Sequence, residues 1–345
     1  MSLVARTAYG ARAAATVGLH AAHWWWARRR SAPFEPAEGP AFRSPHKVPD
    51  RAAVARAFFE AFEADLAAIQ QGLYPAPPPP DPAELARRAR AYRADVASID
   101  RRRQARAGTE VRDDPATEGY PAYFRQNFHW QSGGWFTQES AQLYDFQVET
   151  LFTGSAGPMR RATALALLAE SLAGIDQRKV RCLDLACGTG SFTADVARAF
   201  PRMKLQALDL SPAYAAHARA TLADQGVPVI TGLAEALPFD DASLDRVVCV
   251  YLFHELPPRV RTAVMGEVAR VLAPGGVFVL ADSLRTGDNP DLDRMLDAFP
   301  FGFHEPFFTS WLTTDLDGLG GDAGLQPGRS RQAFLTRAVA FTKPG

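Results

Sequence analysis

Asp184-Leu185-Ala186-Cys187-Gly188-Thr189-Gly190 joins an apolar stretch, Val180 to Ala186, to a helical one, Ser191 to Phe200. A short apolar run bounded by glycines reads as a buried strand, so the two glycines stand at a strand-to-helix turn. Gly188 and Gly190 carry no Cβ, which permits a tight turn and close approach of a ligand to the backbone. The helix that follows begins with unpaired N–H groups. A dinucleotide site would place a third glycine at position 193, where this chain has Thr193, so the Gly-x-Gly-x-x-Gly fingerprint is not met. Asp184 puts a negative charge beside the turn, which disfavours a pyrophosphate and suits a cation or an ammonium group.

Downstream, strands are predicted at 205–210, 227–231, 244–251 and 277–282, separated by helices at 212–224 and 258–272. Strands apolar throughout and alternating with helices indicate a parallel sheet covered on both faces. Near the end, Arg331 to Phe341 reads as one long strand whose partner begins at Gly324 to Pro327, a terminal hairpin at the sheet edge. Asp209 ends the second strand, 25 residues after Asp184. A carboxylate there can accept both hydroxyls of a ribose, while Ser211 serves as the cap of the next helix. A glycine turn, a ribose-binding acid and no dinucleotide fingerprint point to a nucleoside cofactor without pyrophosphate.

The fourth strand runs into Tyr251-Leu252-Phe253-His254-Glu255. This is the carboxyl edge, where open α/β sheets bind ligands. His254 is a candidate general base at neutral pH or, structurally, a clamp on the loop. Glu255 orients it, binds substrate or leads the next helix. Asp282 and Ser283 end the fifth strand at the same rim. His304 and Glu305, set among Phe299, Phe301, Phe307, Phe308 and Trp311, either complete a substrate wall or belong to a satellite core.

Of 345 residues, 38 are Lys or Arg and 38 Asp or Glu, so there is no net field to attract a polyanion and no nucleic-acid partner is expected. The hydrophobic fraction of 47% excludes a disordered chain. Three cysteines make no disulfide framework, which fits a reducing compartment, and no Cys-x-x-Cys or His-Glu-x-x-His spacing supports a metal site. No run of 18 apolar residues is present to span a membrane.

Upstream, residues 1–49 are a basic segment and linker. The first 34 hold no acid and carry Trp24-Trp25-Trp26 before Arg28 to Arg30. Three readings stay open: a helix docked with its tryptophans in the core, peripheral membrane contact, and a transit leader that would make the protein organellar rather than cytoplasmic. Residues 50–175 read as a helical extension, with Asp50 and Asp81 as N-caps and Arg101 to Arg103 as a solvated face. Inside it, Phe128-His129-Trp130-Gln131-Ser132-Gly133-Gly134-Trp135-Phe136 mixes aromatic, polar and hinge residues, a candidate lid carrying Trp130, Gln131, Trp135 and Phe136. Phe307 is a further candidate for the substrate wall.

Four segments in this order resemble the class I S-adenosylmethionine-dependent methyltransferases: Asp184 to Gly190, Leu208 to Ser211, Gly232 to Phe239 and Arg270 to Gly276. The likeness covers about residues 179–283 and is greatest to the UbiE-like subgroup. It implies a Rossmann-like seven-stranded, mostly parallel sheet of order 3-2-1-4-5-7-6, over residues 176–345, with S-adenosyl-L-methionine as cofactor. Ala186, Gly188 and Gly190 would line its methionine and ribose part, Cys187 would join the cofactor-binding set, and Asp184 would organise that loop and favour the ammonium end. Asp209 would take the ribose hydroxyls, Leu210 would lie against the adenine and Ala234 would read the adenine edge by its backbone, with Tyr251 at the rim. Leu233 stands where the subgroup usually has an acid bonding the adenine amine, and Glu235 is the candidate to compensate. Ala186 stands where a glycine is often found. The upstream block 120–151 resembles an N-terminal extension of some members of this family.

The implied reaction is in-line methyl transfer to a small apolar or aromatic acceptor. No Asn-Pro-Pro-Tyr-like tetrapeptide follows the fourth strand. The alternatives are a nicotinamide-dependent (NAD(P)) oxidoreductase and a non-catalytic methyltransferase-like binding protein.

Overall fold

The structure, a computed structural model, describes residues 3–32 and 42–345. Much of the expected linker at 31–49 lies outside the described residues.

Seven strands form one sheet of order β3-β2-β1-β4-β5-β7-β6. They are β1 (Arg181–Leu185), β2 (Lys204–Asp209), β3 (Val229–Thr231), β4 (Leu244–Val250), β5 (Leu272–Ser283), β6 (Gln326–Ala333) and β7 (Thr336–Thr342). The first five run parallel, and β7 pairs antiparallel with both β5 and β6. Side chains alternate between the faces of a strand, and here both faces are apolar because both are covered. Leu183, Val247, Phe278 and Phe341 pack on one side with Val264, Met265 and Val268 of α9 (Pro258–Val271). Cys182, Val248, Val279 and Ala338 pack on the other with Leu165, Leu168 and Val196. Burying each large side chain contributes about 1.5–3 kcal/mol.

The covering helices on that second side are α5 (Ala156–Arg160), continued through a π turn at Arg161–Leu165 into α6 (Ala166–Ser171), and α7 (Ser191–Ala199). Next comes α8 (Pro212–Thr221); α10 (Asp293–Gly302), α11 (Phe308–Leu312) and α12 (Leu316–Asp322) lie between β5 and β6 in the chain. The extension supplies α1 (Leu3–Arg28), α2 (Arg51–Gln70), α3 (Pro82–Ala105) and α4 (Gln138–Leu151). Asp50 and Asp81 cap α2 and α3 as expected, each accepting from the N–H two residues on.

Buried Asp65 pins the extension. It accepts from Tyr9 Oη (2.7 Å), Tyr74 Oη (3.0 Å) and both Nε and Nη2 of Arg161, tying α1, α2 and the π turn together.

Three expectations are corrected. The long strand over Arg331 to Phe341 is broken at Phe334-Leu335, which make the turn between β6 and β7. Phe334 takes φ 48° there because its ring is buried against Phe58 and Leu296, and this packing offsets a backbone cost that local sequence does not advertise. The N-terminal helix docks, but its tryptophans do not form its core: Trp24 and Trp25 are 46% and 53% exposed, and the docked face carries Tyr9, His20 and His23. Of the Arg101 to Arg103 cluster only Arg101 is exposed. Arg102 donates to Ser132 Oγ (2.8 Å), and Arg103 donates to Asp100 (2.7 Å) and to the Ala32 carbonyl (3.0 Å).

Candidate functional site

The carboxyl ends of β1, β2 and β4 open into a cleft of about 1060 Å³, its mouth included. Two non-glycine residues in its wall, Ala186 (φ 59°) and Tyr251 (φ 60°), hold left-handed backbone at the ends of β1 and β4. Such conformations concentrate at ligand sites. Gly188 also has positive φ, and a Cβ there would meet nothing within 4 Å, so its open side faces space.

Asp209 closes β2. Its Oδ2 accepts the Gly188 N–H (2.8 Å) and its Oδ1 the Ser211 N–H (2.8 Å). An ionised carboxylate has about four lone-pair positions, so acceptor capacity remains for a diol in the cleft. Burial pushes its pKa up to about 6 against the pull of those two bonds. Asp184 accepts from Thr193 Oγ1 (2.5 Å); burial, with Asp209 nearby, raises its pKa to about 7. A cleft that strains to keep two carboxylates ionised is complementary to a cation. Arg160 enters the same wall from α5, and its buried Nε has no partner.

The extension roofs this cleft through four polar ties. Asp145 of α4 accepts from Thr189 Oγ1 (2.8 Å) and Ser191 Oγ (3.1 Å) in the glycine turn. Gln131 donates to Tyr214 Oη (2.9 Å), Tyr123 to Glu235 Oε1 (2.6 Å), and Ser211 Oγ to the Trp135 carbonyl.

Behind the cleft lies a second chamber of about 590 Å³, sharing Tyr144, Tyr251 and Glu255 with it. Its walls are mostly apolar (Val148, Met295, Phe299, Phe308 among them), with His129, His254 and Glu255 as polar points. His254 Nδ1 lies 2.6 Å from Asp282 Oδ1, while Asp282 Oδ2 accepts the N–H groups of Phe253 (2.8 Å) and His254 (3.3 Å). Burial pulls the His254 pKa down, but the charge and hydrogen bond of Asp282, with Glu305 beyond, carry it above the ordinary value. Burial and the neighbouring Glu305 push Glu255 well above the carboxylate range.

Of the residues singled out in the sequence, the cleft gathers Asp184, Ala186, Cys187, Gly188, Asp209, Leu210, Ala234, Tyr251, Trp135 and Glu255, and the chamber adds His254, Ser283, Phe299 and Phe308. Gly190 stands outside; it caps α7, and a Cβ there would press on Ala218 and Leu222 of α8 at 3.2 Å. Leu233 is outside as well, and Glu235 holds Tyr123. Trp130 donates to the Gly302 carbonyl, Gln131 is a buried tie, and Phe136 packs on Tyr120 and Phe124. Phe307 lends its carbonyl to Arg261, and His304 stacks on Trp130 with Nε2 at 2.9 Å from Gln126. None of these five lines the cleft or the chamber.

Sequence reasoning passed over Tyr144, Arg160 and Tyr214 as wall residues and took His129 only as a polar handle of the lid. For Arg160 a signal existed, an arginine pair inside an apolar helix; for the others only the fold brings them in.

A methyltransferase-domain family matches residues 182–276. The chain is 33% identical over 203 residues to the uncharacterized methyltransferase sll0829 of Synechocystis sp., covering 55% of this chain and 89% of that protein. It is 33% identical over 165 residues to the ubiquinone/menaquinone biosynthesis C-methyltransferase UbiE of Methylobacterium nodulans, covering 47% of this chain and 62% of that one, so less than two thirds of the relative's length is spanned. Among solved structures, magnesium protoporphyrin IX methyltransferase from Synechocystis aligns with a TM-score of 0.39 at 16% identity, covering 52% of this chain and 76% of that chain.

Proposed function

Because the chain belongs to the class I S-adenosylmethionine-dependent methyltransferase superfamily, we propose that it carries a methyl group from that cofactor to a small, mainly apolar or aromatic acceptor seated in the rear chamber. The observation that carries this reading is the junction of the two cavities at Tyr144, Tyr251 and Glu255, which sets a mostly apolar space directly behind a nucleoside-sized cleft. When bound, the cofactor supplies an electrophilic methyl group on a sulfonium. The cleft fits it: Asp209 offers acceptors for a ribose diol, Asp184 a negative charge for an ammonium, Arg160 an unpaired donor for a carboxylate, and Leu210 and Ala234 an apolar seat for a base.

The chain's own work is then to orient and to exclude water. Holding two reactants in line can supply several of the roughly 7–11 kcal/mol open to ideal proximity, and the roof of α4 and the 120–136 segment keeps solvent from that alignment. His254 accepts the acceptor's proton while Asp282 fixes its ring through Nδ1. Glu255, whose pKa is pushed up by burial and by Glu305, faces the reacting space where the two cavities join.

Within the superfamily we place the chain nearest the UbiE-like group, on the four motifs and on the matched relatives. The 120–151 stretch serves as the roof, and 176–345, with the 156–171 helices on the second face of its sheet, as the transferase unit. Exposed Trp24 and Trp25, with Arg29 stacked 3.6 Å over Trp25, suit contact with an anionic membrane surface. No helix among the described residues is long and apolar enough to cross one. Neither the oxidoreductase nor the non-catalytic alternative finds support among the relatives.

The test is a panel of phenolic, quinol and carboxylate acceptors with methyl-labelled cofactor, read by mass spectrometry, alongside calorimetry with S-adenosylhomocysteine. Labelled product and micromolar cofactor affinity are expected, with affinity reduced at least tenfold in Asp209→Ala. A folded protein with no affinity for either form of the cofactor would overturn the assignment.

A further inference from the structure

His129, Glu255 and Glu305 come from three distant segments and meet at the polar end of the rear chamber. One nitrogen and two carboxylate oxygens, one from each residue, lie within 4.8 Å of one another. Two of the side chains are closed off from solvent: Glu305 is 4% exposed and His129 8%. His129 Nε2 and Glu305 Oε1 meet as an ion pair, and Glu305 Oε2 is left buried with no hydrogen-bond partner. A buried, unpaired polar atom costs about 1–3 kcal/mol, more when charged, so a Glu305 carboxylate paired at one oxygen only, with Glu255 close by, calls for a further partner.

The charge balance says what kind. With the ring neutral and both carboxylates ionised, the state a bound cation would hold, the trio carries minus two. The Arg261 guanidinium gives its donors to the Phe253 and Phe307 carbonyls and to the hydroxyls of Thr314 and Ser310. His254 is engaged by Asp282 at its other nitrogen and stands 4.0 Å from Glu255. The remaining demand is for a dication, and one imidazole with two carboxylates is a donor set that first-row divalent ions accept.

We propose that His129, Glu255 and Glu305 bind a divalent transition-metal ion, of the Zn²⁺ or Mn²⁺ kind, at the inner end of the acceptor chamber. His129 and Glu255 line that chamber and Glu305 lies behind them, so the ion's remaining positions open toward the acceptor. An acceptor oxygen placed there loses its proton more readily, since a bound dication lowers the pKa of a coordinated hydroxyl; His254 is beside it to take that proton. The left-handed backbone of His129 (φ 55°) fixes the imidazole from a rigid turn whose N–H donates to the His304 carbonyl (3.2 Å). The acceptor class this selects is an apolar molecule bearing a hydroxyl or enolisable oxygen. This deepens the transferase reading and rests on it for the acceptor, though not for the ion.

The test starts from full-length protein stripped with chelator. Zn²⁺ and Mn²⁺ are titrated by calorimetry, and Co²⁺ by visible absorption, with S-adenosylhomocysteine titrated into the same samples. One ion per chain at micromolar affinity or tighter is expected, with a Co²⁺ spectrum of nitrogen and oxygen ligation. Glu305→Gln, nearly isosteric and away from the cofactor cleft, should weaken ion binding at least tenfold and leave S-adenosylhomocysteine affinity within twofold. That retained affinity also shows that the variant folds. No ion bound by wild-type protein that still binds S-adenosylhomocysteine would overturn the metal site and leave the transferase standing; the trio would then share a proton. Ion binding indifferent to Glu305→Gln would place the ion elsewhere and overturn it equally. Loss of S-adenosylhomocysteine binding in wild-type protein with the ion retained would strike the transferase reading alone.

Discussion

Replacing Asp184 by Asn should make the ligand-free protein more stable while weakening its hold on the cofactor. The carboxylate lies at the end of β1, buried, with Thr193 Oγ1 as its hydrogen-bond donor; burial moves its pKa from 3.8 to about 7. A carboxylate whose folded pKa is raised gives its full contribution below the unfolded value, and that contribution is lost as pH rises through the folded one. At pH 8 the wild-type protein therefore carries the whole cost of an ionised buried acid. At about 1.4 kcal/mol per pH unit the interval corresponds to roughly 4 kcal/mol as an upper bound. An amide keeps an acceptor for Thr193 and carries no charge. Asp184→Asn should thus gain roughly 2–4 kcal/mol at pH 8, several degrees in Tm, and only about 1 kcal/mol at pH 4.5, where the folded wild-type acid is already protonated. Urea and thermal melts of ligand-free protein at both pH values measure the difference, and calorimetry with S-adenosylmethionine should show at least tenfold weaker binding. A variant that melts below wild type at pH 8, or whose gain is the same at pH 4.5, refutes the reasoning.

Asp65→Ala leaves Arg161 buried without its carboxylate and should cost about 3–5 kcal/mol, seen as a lower urea midpoint. Ala186→Gly relieves left-handed backbone at φ 59° and should raise ligand-free stability by roughly 0.5–1 kcal/mol, the usual cost of that conformation less glycine's own entropy; a loss of stability would show that Ala186 is not strained. His254→Gln should lower turnover by roughly 10²–10⁴ with S-adenosylhomocysteine affinity within twofold; unchanged turnover removes it as the proton acceptor.

The sheet was legible because its information is local. Each strand from β1 to β5 is an apolar run, and Asp184 to Gly190 marks the first crossover by residues whose conformational demands are visible one at a time. The cofactor cleft follows, since Asp209 and the glycine turn sit at strand ends that the topology aligns. The misread hairpin shows the limit: Ala333-Phe334-Leu335 is as apolar as the strands it joins, and only the pocket around the Phe334 ring puts a turn there. The chamber was hidden for a similar reason. His129, Tyr144, Glu255 and Glu305 share no spacing, and they meet because α4, the loop after β4 and the segment before α11 fold onto one another. The lid residues were half visible. The aromatic block does cover the cleft, but Trp130 and Gln131 are its anchors rather than its inner surface.

The Asp145 contact carries a consequence for traffic through the molecule. Because one carboxylate on α4 grips Thr189 and Ser191 and also receives Arg88 (3.1 Å), the glycine turn is latched to two helices of the extension at once. On the transferase reading, a spent nucleoside lies beneath that latch and its three companions, and loosening the Asp145 contact should speed its release.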